Sequence, residues 1–475
     1  FTEFPTKEGE TVEMKVGISF VDMEGAANNF KQEIASKDLE QVKKEATDLW
    51  NKELSRIRIS GGTEDEKTIF YTAMYHTMID PRIYTDVDGR YVGGDYKIHT
   101  TDSAFTKRTI FSGWDVFRSQ FPLQTIINPC LVSDELNSLI SMAEQSGREY
   151  YERWEFLNSY SGCMLGNPAL SVLADAYVKG IRTYDVEKAY RYAVNTSRHF
   201  GNDSLGYIPE PLSISTTLEY AYTDWCISQV AQAMGKNEDA RYFYEKGQAY
   251  HNIFDKEKGW FRPRKADGSW VAWPENARLK EWYGCIEVNS YQQGWFVPHD
   301  VSGMVELMGG KEKVIEDLIY FFSKTPSNML WNEYYNHANE PVHFVPFLFN
   351  QLAVPWHTQK WTRYTCEKAY ANKVEGIVGN EDVGQMSAWY VLAASGIHPS
   401  CPGNTRMEIT SPVFDKVEFA LDPAYYSGKK FTVIAHDNSV DNVYIQKALL
   451  NGKEYNKCYL DFTDIVSGGT LELFM

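Results

Sequence analysis

The pattern of hydrophobic and polar positions changes along the 475-residue chain. Residues 11–20 alternate apolar and polar side chains, which predicts one strand. A single strand is not stable in water, so we expect its partners in a missing N-terminal sheet. Between Asp38 and Ile57 the apolar positions recur at helical spacing, with Lys and Glu on the opposite face. The pattern therefore predicts a helical linker over residues 21–60.

Helical patterns dominate residues 61–405. Several apolar stripes end at a glycine, as at Gly147, Gly180 and Gly396. About a dozen helices can be drawn in this way, and the absence of alternating strands argues against a parallel α/β sheet. Helical hairpins in that number favour an (α/α)6 toroid, in which loops at one end of the ring would carry the catalytic groups.

From Met407 the period returns to two. Six short stretches with this period, separated by Gly, Asp and Asn turns, predict a small antiparallel β module over residues 406–475. Asn451-Gly452 is a strong turn signal within it. The predicted fold class is therefore mainly α: an (α/α)6 toroid with a helical linker at its N-terminus and a small antiparallel β module at its C-terminus.

The composition argues against several classes of function. No apolar run is long enough to span a bilayer, so we expect no membrane span. The net charge is -17 without a Lys/Arg cluster, which makes nucleic acid a poor candidate partner. Seven Cys include no CxxC pair, and their odd number excludes complete intramolecular pairing; we expect most to be buried thiols. The start at Phe1 fits a mature exported protein or a trimmed chain.

Polar residues next to glycines and aromatics mark five loops as candidates for chemistry. They are residues 112–122, 161–169, 285–300, 335–347 and 379–390. In the last of them Gly379 and Gly384 bracket Asn380, Glu381 and Asp382 just before a predicted helix. These acids could simply cap that helix. However, three consecutive side chains cannot all cap, and flanking glycines let the backbone pass close to a ligand.

Glu287 is a candidate general acid. It lies among Cys285, Ile286, Val288 and Tyr291, and apolar surroundings raise the pKa of a carboxyl because they remove its hydration. A general acid needs such a pKa to stay protonated near neutrality. The alternative is an ordinary glutamate whose carboxylate reaches water.

Residues 335–347 form an oxygen-rich loop. Asn336, His337, Asn339, Glu340 and His343 lie within eight positions, and such a set suits calcium. Zinc fits less well because the two histidines lack an HExxH arrangement. The alternative is a network of hydrogen bonds that fixes a long loop.

Residues 112–122 join Trp114, Asp115 and Arg118. Trp114 could cover the face of a sugar while Asp115 accepts hydrogen bonds from its hydroxyls. The alternative is a structural Asp–Arg pair beside a buried tryptophan.

Together these segments resemble glycoside hydrolase family 92, the calcium-dependent inverting exo-α-mannosidases. The resemblance covers essentially the whole chain in order. Its motifs are SGWDVFRSQFPL, SGCMLGNPA, GWFVPHD, HANEPVHFVPF, PWHTQKW, GNEDVGQMSAWYVLAASGIHP, SPVFDKVEF, NVYIQKALLNGK and GGTLELFM. The family implies an N-terminal β-sandwich before the (α/α)6 domain, with the site between them. Residues 1–20 would then hold the last strand of a truncated sandwich.

The resemblance implies roles for single residues. Glu287 would be the general acid and Asp382 the general base, assisted by Glu381. An inverting pair stands about 6.5–9.5 Å apart and leaves room for a water. The residues predicted to bind substrate are Trp114, Asp115, Asn380 and His343. The residues predicted to bind calcium are Asn339, Glu340 and Ala338, the last through its carbonyl. Val288 departs from the family, which often has Gly after the acid.

These implications predict an enzyme that removes terminal α-linked mannose from oligosaccharides or glycoprotein glycans, with Ca²⁺ as cofactor. We expect it to be secreted, periplasmic or on the cell surface of a bacterium. Two alternatives stay open. One is a different inverting (α/α)6 glycosidase, such as a glucosidase or a trehalase-like hydrolase. The other is a non-catalytic mannose-binding protein on the same scaffold, which the presence of both carboxyls argues against.

Overall fold

The N-terminal segment contains no strand. The computed structural model describes residues 3–201 and 203–475, and within them residues 11–20 run without strand pairing up to the first helix, α1. The expected partners of this strand lie outside this chain, so the strand over residues 11–20 stays a prediction. Its alternate apolar side chains, from Val12 to Ile18, are exposed, and no described strand lies beside it to accept its backbone hydrogen bonds.

The helices occupy most of the chain between residues 23 and 394. Several begin at a capping side chain, as at Asp38, which accepts from the Gln41 N–H in a capping box. The helices are α1 Met23–Glu33, α2 Leu39–Leu54, α3 Glu64–His76, α4 Gly113–Val116, α5 Gln120–Ile127, α6 Pro129–Gln145, α7 Pro168–Val178, α8 Val186–Phe200, α9 Ser213–Ala233, α10 Asn237–Lys246, α11 Ser290–Gln293, α12 Val301–Leu307, α13 Lys311–Ser323, α14 Leu348–Gln351, α15 Pro355–Lys368, α16 Gln385–Ala394 and α17 Phe462–Val466.

Short strands accompany the helices, and longer ones follow them. The strands are β1 Ile57–Ser60, β2 Arg82–Ile83, β3 Arg90–Val92, β4 Ile98–Thr100, β5 Arg108–Thr109, β6 Glu155–Phe156, β7 Ser159–Tyr160, β8 Phe254–Asp255, β9 Trp260–Phe261, β10 Ile397–Pro399, β11 Arg406–Ile409, β12 Lys416–Ala420, β13 Lys430–His436, β14 Lys447–Leu450, β15 Lys453–Glu454, β16 Tyr459–Asp461 and β17 Gly469–Phe474.

The C-terminal strands form the β region that the sequence predicts. A six-stranded sheet has the order β1-β12-β13-β17-β14-β15 and is antiparallel except between β13 and β17. A second sheet has the order β10-β11-β16. Two strands of these sheets lie before the predicted boundary at residue 406: β1 occupies the end of the predicted helical linker, and β10 follows α16. The sheets therefore join both ends of the helical region to the C-terminus.

The core of the helical region is formed by helices buried all around. In α9, 18 of 21 residues are buried, and all ten residues of α16 are buried. Such helices show little one-sided periodicity because no face meets water. Both helices begin near the candidate loops, so the least mobile part of the fold supports them.

The cysteines behave as the sequence predicts. All seven are unpaired, and the four that are fully buried are Cys226, Cys285, Cys366 and Cys401. In the described residues, no helix combines the length and the apolar character needed to cross a membrane.

Candidate active site

Three carboxyl groups from three of the predicted loops meet in the structure. Asp115, Glu340 and Asp382 each offer an oxygen, and these oxygens lie within 4.8 Å of one another. Asp115 and Glu340 are buried, and Asp382 is partly buried. We call these three residues the acidic cluster. Like charges this close in a poorly hydrated place repel strongly unless protons or a cation neutralise them.

Glycines bring two of these loops together. Gly379 has a φ of +77°, and a Cβ built on it would lie 2.4 Å from the Ala338 carbonyl oxygen. Only glycine therefore lets the 379–384 segment pack against the residues before Glu340. Beyond it, Asp382, Val383 and Gly384 have φ values of +51°, +59° and +94°. Three consecutive left-handed residues are rare, and such strain is concentrated at functional sites.

Asp115 is fixed by its own short helix. It lies in α4, and the Ser112 hydroxyl donates a hydrogen bond to it. Burial raises the pKa of Asp115 well above its usual value, and the negative charges of Asp382 and Glu287 raise it further. The Ser112 hydrogen bond and the Arg118 charge act in the opposite direction.

Glu340 is the least satisfied member of the acidic cluster. Its backbone N–H donates to the Asn339 side chain over 3.2 Å, but its Oε1 is buried without a hydrogen-bond partner among the described residues. Burial raises the pKa of Glu340 well above its usual value, and the charges of Asp115 and Asp382 add to this. Arg118 again opposes the shift. An unpartnered buried carboxylate oxygen is costly and marks a place for a cation or a proton.

Arg118 is the cation beside the cluster. Its guanidinium lies over the rings of Phe117 and Phe296, at 4.6 and 5.1 Å from their centroids. Nε donates to the Trp114 carbonyl over 2.9 Å, and Nη2 lies 3.7 Å from a carboxylate oxygen of Glu219. One positive charge, shared with Glu219, cannot balance three further carboxylates. The site therefore retains a negative excess when its acids are ionised.

Glu287 lies at the edge of the same site. Burial raises the pKa of Glu287, followed by the charge of Asp382, while Asn339 lowers it. The Asn339 amide also donates to the Glu287 carbonyl over 3.4 Å. Burial likewise raises the pKa of Asp382, against a hydrogen bond from Glu340 that lowers it. The charge on Asp382 acts on Glu287, and Asn339, the neighbour of Glu340, contacts the Glu287 backbone, so Glu287 lies close to the acidic cluster.

Two of the predicted site residues are tied into the surrounding structure instead. Glu381 accepts from the backbone N–H groups of Gly384 at 2.5 Å and Ser387 at 3.3 Å, so it caps α16. His343 donates from Nε2 to the His337 carbonyl over 3.1 Å. Burial lowers the pKa of His343 to about 3, so its ring is neutral. The catalytic role of Glu381 and the binding role of His343 stay predictions.

Two others differ sharply in exposure. Trp114 is 2% exposed, and its indole N–H donates to Glu219 over 2.9 Å. Its ring therefore offers little surface to a sugar. Asn380, in contrast, is exposed. Their binding roles also stay predictions.

Glu219 is a site residue that the sequence did not single out. It lies in α9 and is fully buried, and burial raises its pKa to about 7 against the opposing charge of Arg118. A Cβ on Gly166 would lie 2.5 Å from a Glu219 carboxylate oxygen, so a second candidate loop packs directly against it. The helical pattern gave no signal, because α9 is buried on every side and Glu219 does not fall on a polar face.

Comparisons with known proteins agree with the motifs. The family model for the Glycosyl hydrolase family 92 catalytic domain matches residues 25–475. A curated protein of Arthroderma benhamiae, described as an uncharacterized secreted glycosidase, is 28% identical over 97% of this chain and 60% of its own length. The chain thus spans about three fifths of that relative.

Two solved structures from Bacteroides thetaiotaomicron are similar as well. A family 92 α-mannosidase is 32% identical with a TM-score of 0.89, over 96% of this chain and 61% of the other. A family 92 inverting mannosidase is 33% identical with a TM-score of 0.88, over 96% of this chain and 65% of the other. These likenesses confirm the mainly α (α/α)6 toroid with a C-terminal β region. The chain belongs to glycoside hydrolase family 92.

Proposed function

We propose that the protein is an exo-α-mannosidase that hydrolyses terminal α-linked mannose with inversion at the anomeric carbon. The observation that carries the proposal is the proximity of Glu287 to the acidic cluster. Family membership supports the reaction class, and similar proteins are described as an α-mannosidase and an inverting mannosidase. A further structure of the first of these is a complex with mannoimidazole.

The two acids divide the work of an inverting hydrolysis. Burial and the nearby charge of Asp382 favour the protonated form of Glu287, which donates its proton to the departing glycosidic oxygen. Asp382 receives a proton from the water that attacks C1 on the opposite face. Burial raises the pKa of Asp382 and makes its carboxylate a stronger base, while the hydrogen bond with Glu340 opposes this shift. One water and one glycosidic bond are consumed for each mannose released.

The residues of the acidic cluster fit calcium. The donor set consists of carboxylate oxygens within 4.8 Å of one another, with one buried oxygen of Glu340 unpartnered. Hard oxygen ligands of this kind are those that Ca²⁺ prefers. When bound, calcium would neutralise the negative excess and orient the sugar hydroxyls that reach it.

The structure favours some of the predicted ligands over others. Glu340 holds calcium in this proposal, with Asp115 beside it. Asn339 and Ala338 were also predicted, but the Asn339 oxygen already accepts from Glu340 and the Ala338 carbonyl lies against Gly379. Glu340 is therefore the ligand on which the proposal depends.

The substrate would be a mannose-containing oligosaccharide or a glycoprotein glycan outside the cytoplasm. A secreted glycosidase among the relatives supports this setting. A bacterial periplasm or cell surface stays the expectation from sequence.

The test is the Glu287→Gln variant assayed with two substrates in the presence of calcium. Hydrolysis of α-mannobiose should fall about 1,000-fold, because the leaving sugar needs the proton. Hydrolysis of α-mannosyl fluoride should be largely spared, because fluoride leaves without one. Glu333→Gln is the matched control, since Glu333 is exposed nearby and should change neither rate.

Proton NMR of the wild-type reaction completes the test. β-Mannose should appear first and then mutarotate. α-Mannose as the first product would contradict inversion. Turnover of an aryl α-glucoside without turnover of the mannoside would favour a different glycosidase, and mannose binding without any product would favour the non-catalytic alternative.

A further inference from the structure

The loop that carries Glu287 has a strained backbone at a tryptophan. Within residues 280–289 the φ values of Trp282, Gly284 and Glu287 are +60°, +73° and +59°. A bulky residue at positive φ is an outlier, and the surrounding structure must hold it there. An antiparallel bridge between Glu281 and Asn289 closes the loop and holds the backbone in this conformation. Trp282 and Glu287 are thus fixed by the same short turn.

The packing of Trp282 does little to offset this backbone strain. It is 60% exposed, although indole is among the largest apolar side chains. The strained backbone therefore places the indole ring outside the core. Large exposed apolar surfaces on rigid loops mark binding sites.

A second exposed tryptophan lies at the same rim. Trp331 is 54% exposed, and its indole N–H lies 3.5 Å from the Glu281 carboxylate, next to Trp282 in sequence. The residues that follow Trp331 are hydrogen-bonded to the general-acid loop and α11. Asn289 donates to the Glu333 carbonyl over 2.8 Å, and Gln292 donates to the carbonyls of the two residues that flank Glu333. The two rings belong to one rigid edge.

The proposed role of Glu287 indicates which part of a substrate lies at the edge formed by Trp282 and Trp331. A general acid protonates the glycosidic oxygen, so the loop that carries it borders the leaving group. Aromatic faces cover the C–H faces of pyranose rings. We infer that Trp282 and Trp331 bind the sugar on the leaving-group side, so that the preferred substrate is an oligosaccharide with at least one sugar beyond the bond that is cut. This inference rests on the proposed function for the identity of the acid.

The experiment compares substrates with and without a leaving-group sugar. Trp282→Ala, Trp331→Ala and the double variant are assayed with α-linked mannobioses and with α-mannosyl fluoride, all with calcium present. Each single change should lower kcat/KM for the disaccharides about tenfold, mainly through KM, and leave the fluoride unchanged. Trp282→Phe and Trp331→Phe should retain most of the activity because a ring remains.

Trp356 supplies the matched control. It is 50% exposed at the start of α15, outside the general-acid loop, so Trp356→Ala should change neither rate. Equal losses on both substrates would overturn the inference, because they indicate damage to the catalytic centre. Unchanged disaccharide kinetics would overturn it as well.

A binding measurement separates this inference from the proposed function. If the wild type turns over neither substrate, the proposed function fails, and calorimetric titration with the mannobioses decides the inference. Disaccharide binding about tenfold weaker in the variants, with mannose binding unchanged, would uphold it. Equal disaccharide affinities of the wild type and the variants would overturn it. A change of oligomeric state in the variants, measured by light scattering, would assign the tryptophans to a protein contact and would also overturn it.

Discussion

Glu340 and Glu408 are both fully buried glutamates, with 1% and 0% exposure, but their surroundings differ. Glu408, in β11, accepts two hydrogen bonds from Arg406 at 2.6 and 3.1 Å, one from Ser400 at 2.9 Å and one from Asn350 at 3.2 Å. Glu340 has an unpartnered oxygen and faces two other carboxyls. Burial raises the pKa of both side chains.

The difference separates a structural acid from a functional one. Around Glu408 every charge is matched, so the group fastens β11 to α14 and needs nothing further. Around Glu340 the fold leaves a charge unmatched, which is destabilising by itself and becomes favourable only with a cation or substrate. Burial and a raised pKa alone do not mark an active site; at Glu340 they coincide with an unpartnered oxygen and two neighbouring carboxyls.

Of the two buried glutamates, Glu340 should have the larger effect on activity when it is changed to Gln. Without this carboxylate calcium binding fails, and kcat/KM for an α-mannoside should fall about a hundredfold or more. The calcium-free variant should nevertheless unfold at a higher temperature than the calcium-free wild type, because like-charge repulsion is relieved. Steady-state kinetics and calorimetry measure the two effects. Wild-type activity in this variant would contradict the distinction between Glu340 as a functional acid and Glu408 as a structural one.

Glu408→Gln should give the reverse result. Its loss leaves Arg406 without a charged partner and should cost about 2 kcal/mol of unfolding free energy. Activity per folded molecule should stay the same, since Glu408 lies outside the acidic cluster. Chemical denaturation together with active-site titration separates the two quantities, and a loss of kcat without a loss of stability would contradict this assignment.

The acidic cluster also predicts how stability depends on pH. The folded-state pKa values of Asp115, Glu340 and Asp382 lie above those of the unfolded chain. Groups raised in this way contribute stability that is complete below the unfolded pKa and is lost as the pH rises through the folded one. Calcium-free protein should therefore lose stability from about pH 4 upward.

Thermal unfolding in EDTA measures this dependence, with Asp115→Asn as the variant that should flatten it. Added calcium should restore stability at neutral pH, by about 2.7 kcal/mol at a concentration a hundredfold above its Kd. If EDTA and calcium give the same unfolding temperature across this range, the cluster is not a cation site.

Glu381→Gln should have the smallest effect on stability. The side chain caps α16 through two backbone N–H groups, so its change should cost about 1 kcal/mol of stability. We expect kcat to fall less than tenfold. A loss as large as that of Glu287→Gln would instead support the direct catalytic role that the sequence suggested.

The sequence predicted what depends on local pattern. Helical periodicity placed most helices, and alternation placed the C-terminal strands. Glycines beside acids marked the loop of Asp382, and clustered oxygen-bearing side chains marked the loop of Glu340. The strand over residues 11–20 stays a prediction because a strand forms only with a partner, and pairing is not encoded locally. The parallel pair β13–β17 escaped prediction for the same reason.

The site itself could be predicted only in part. The acids were found, but not that Asp115 would join Glu340 and Asp382, because that convergence is a tertiary contact. Glu219 was missed because its helix is buried all around. The sequence singled out Glu340 by its oxygen-rich loop, but not its unmatched charge, since folding brings the donors to Glu408 and leaves Glu340 without them.

Calorimetric titration of calcium into the wild type, Glu340→Gln and Glu408→Gln tests the central claim most directly. The account predicts that the wild type and Glu408→Gln bind calcium with the same affinity, whereas Glu340→Gln shows no binding. Equal binding to all three proteins, or no binding to the wild type, would contradict it.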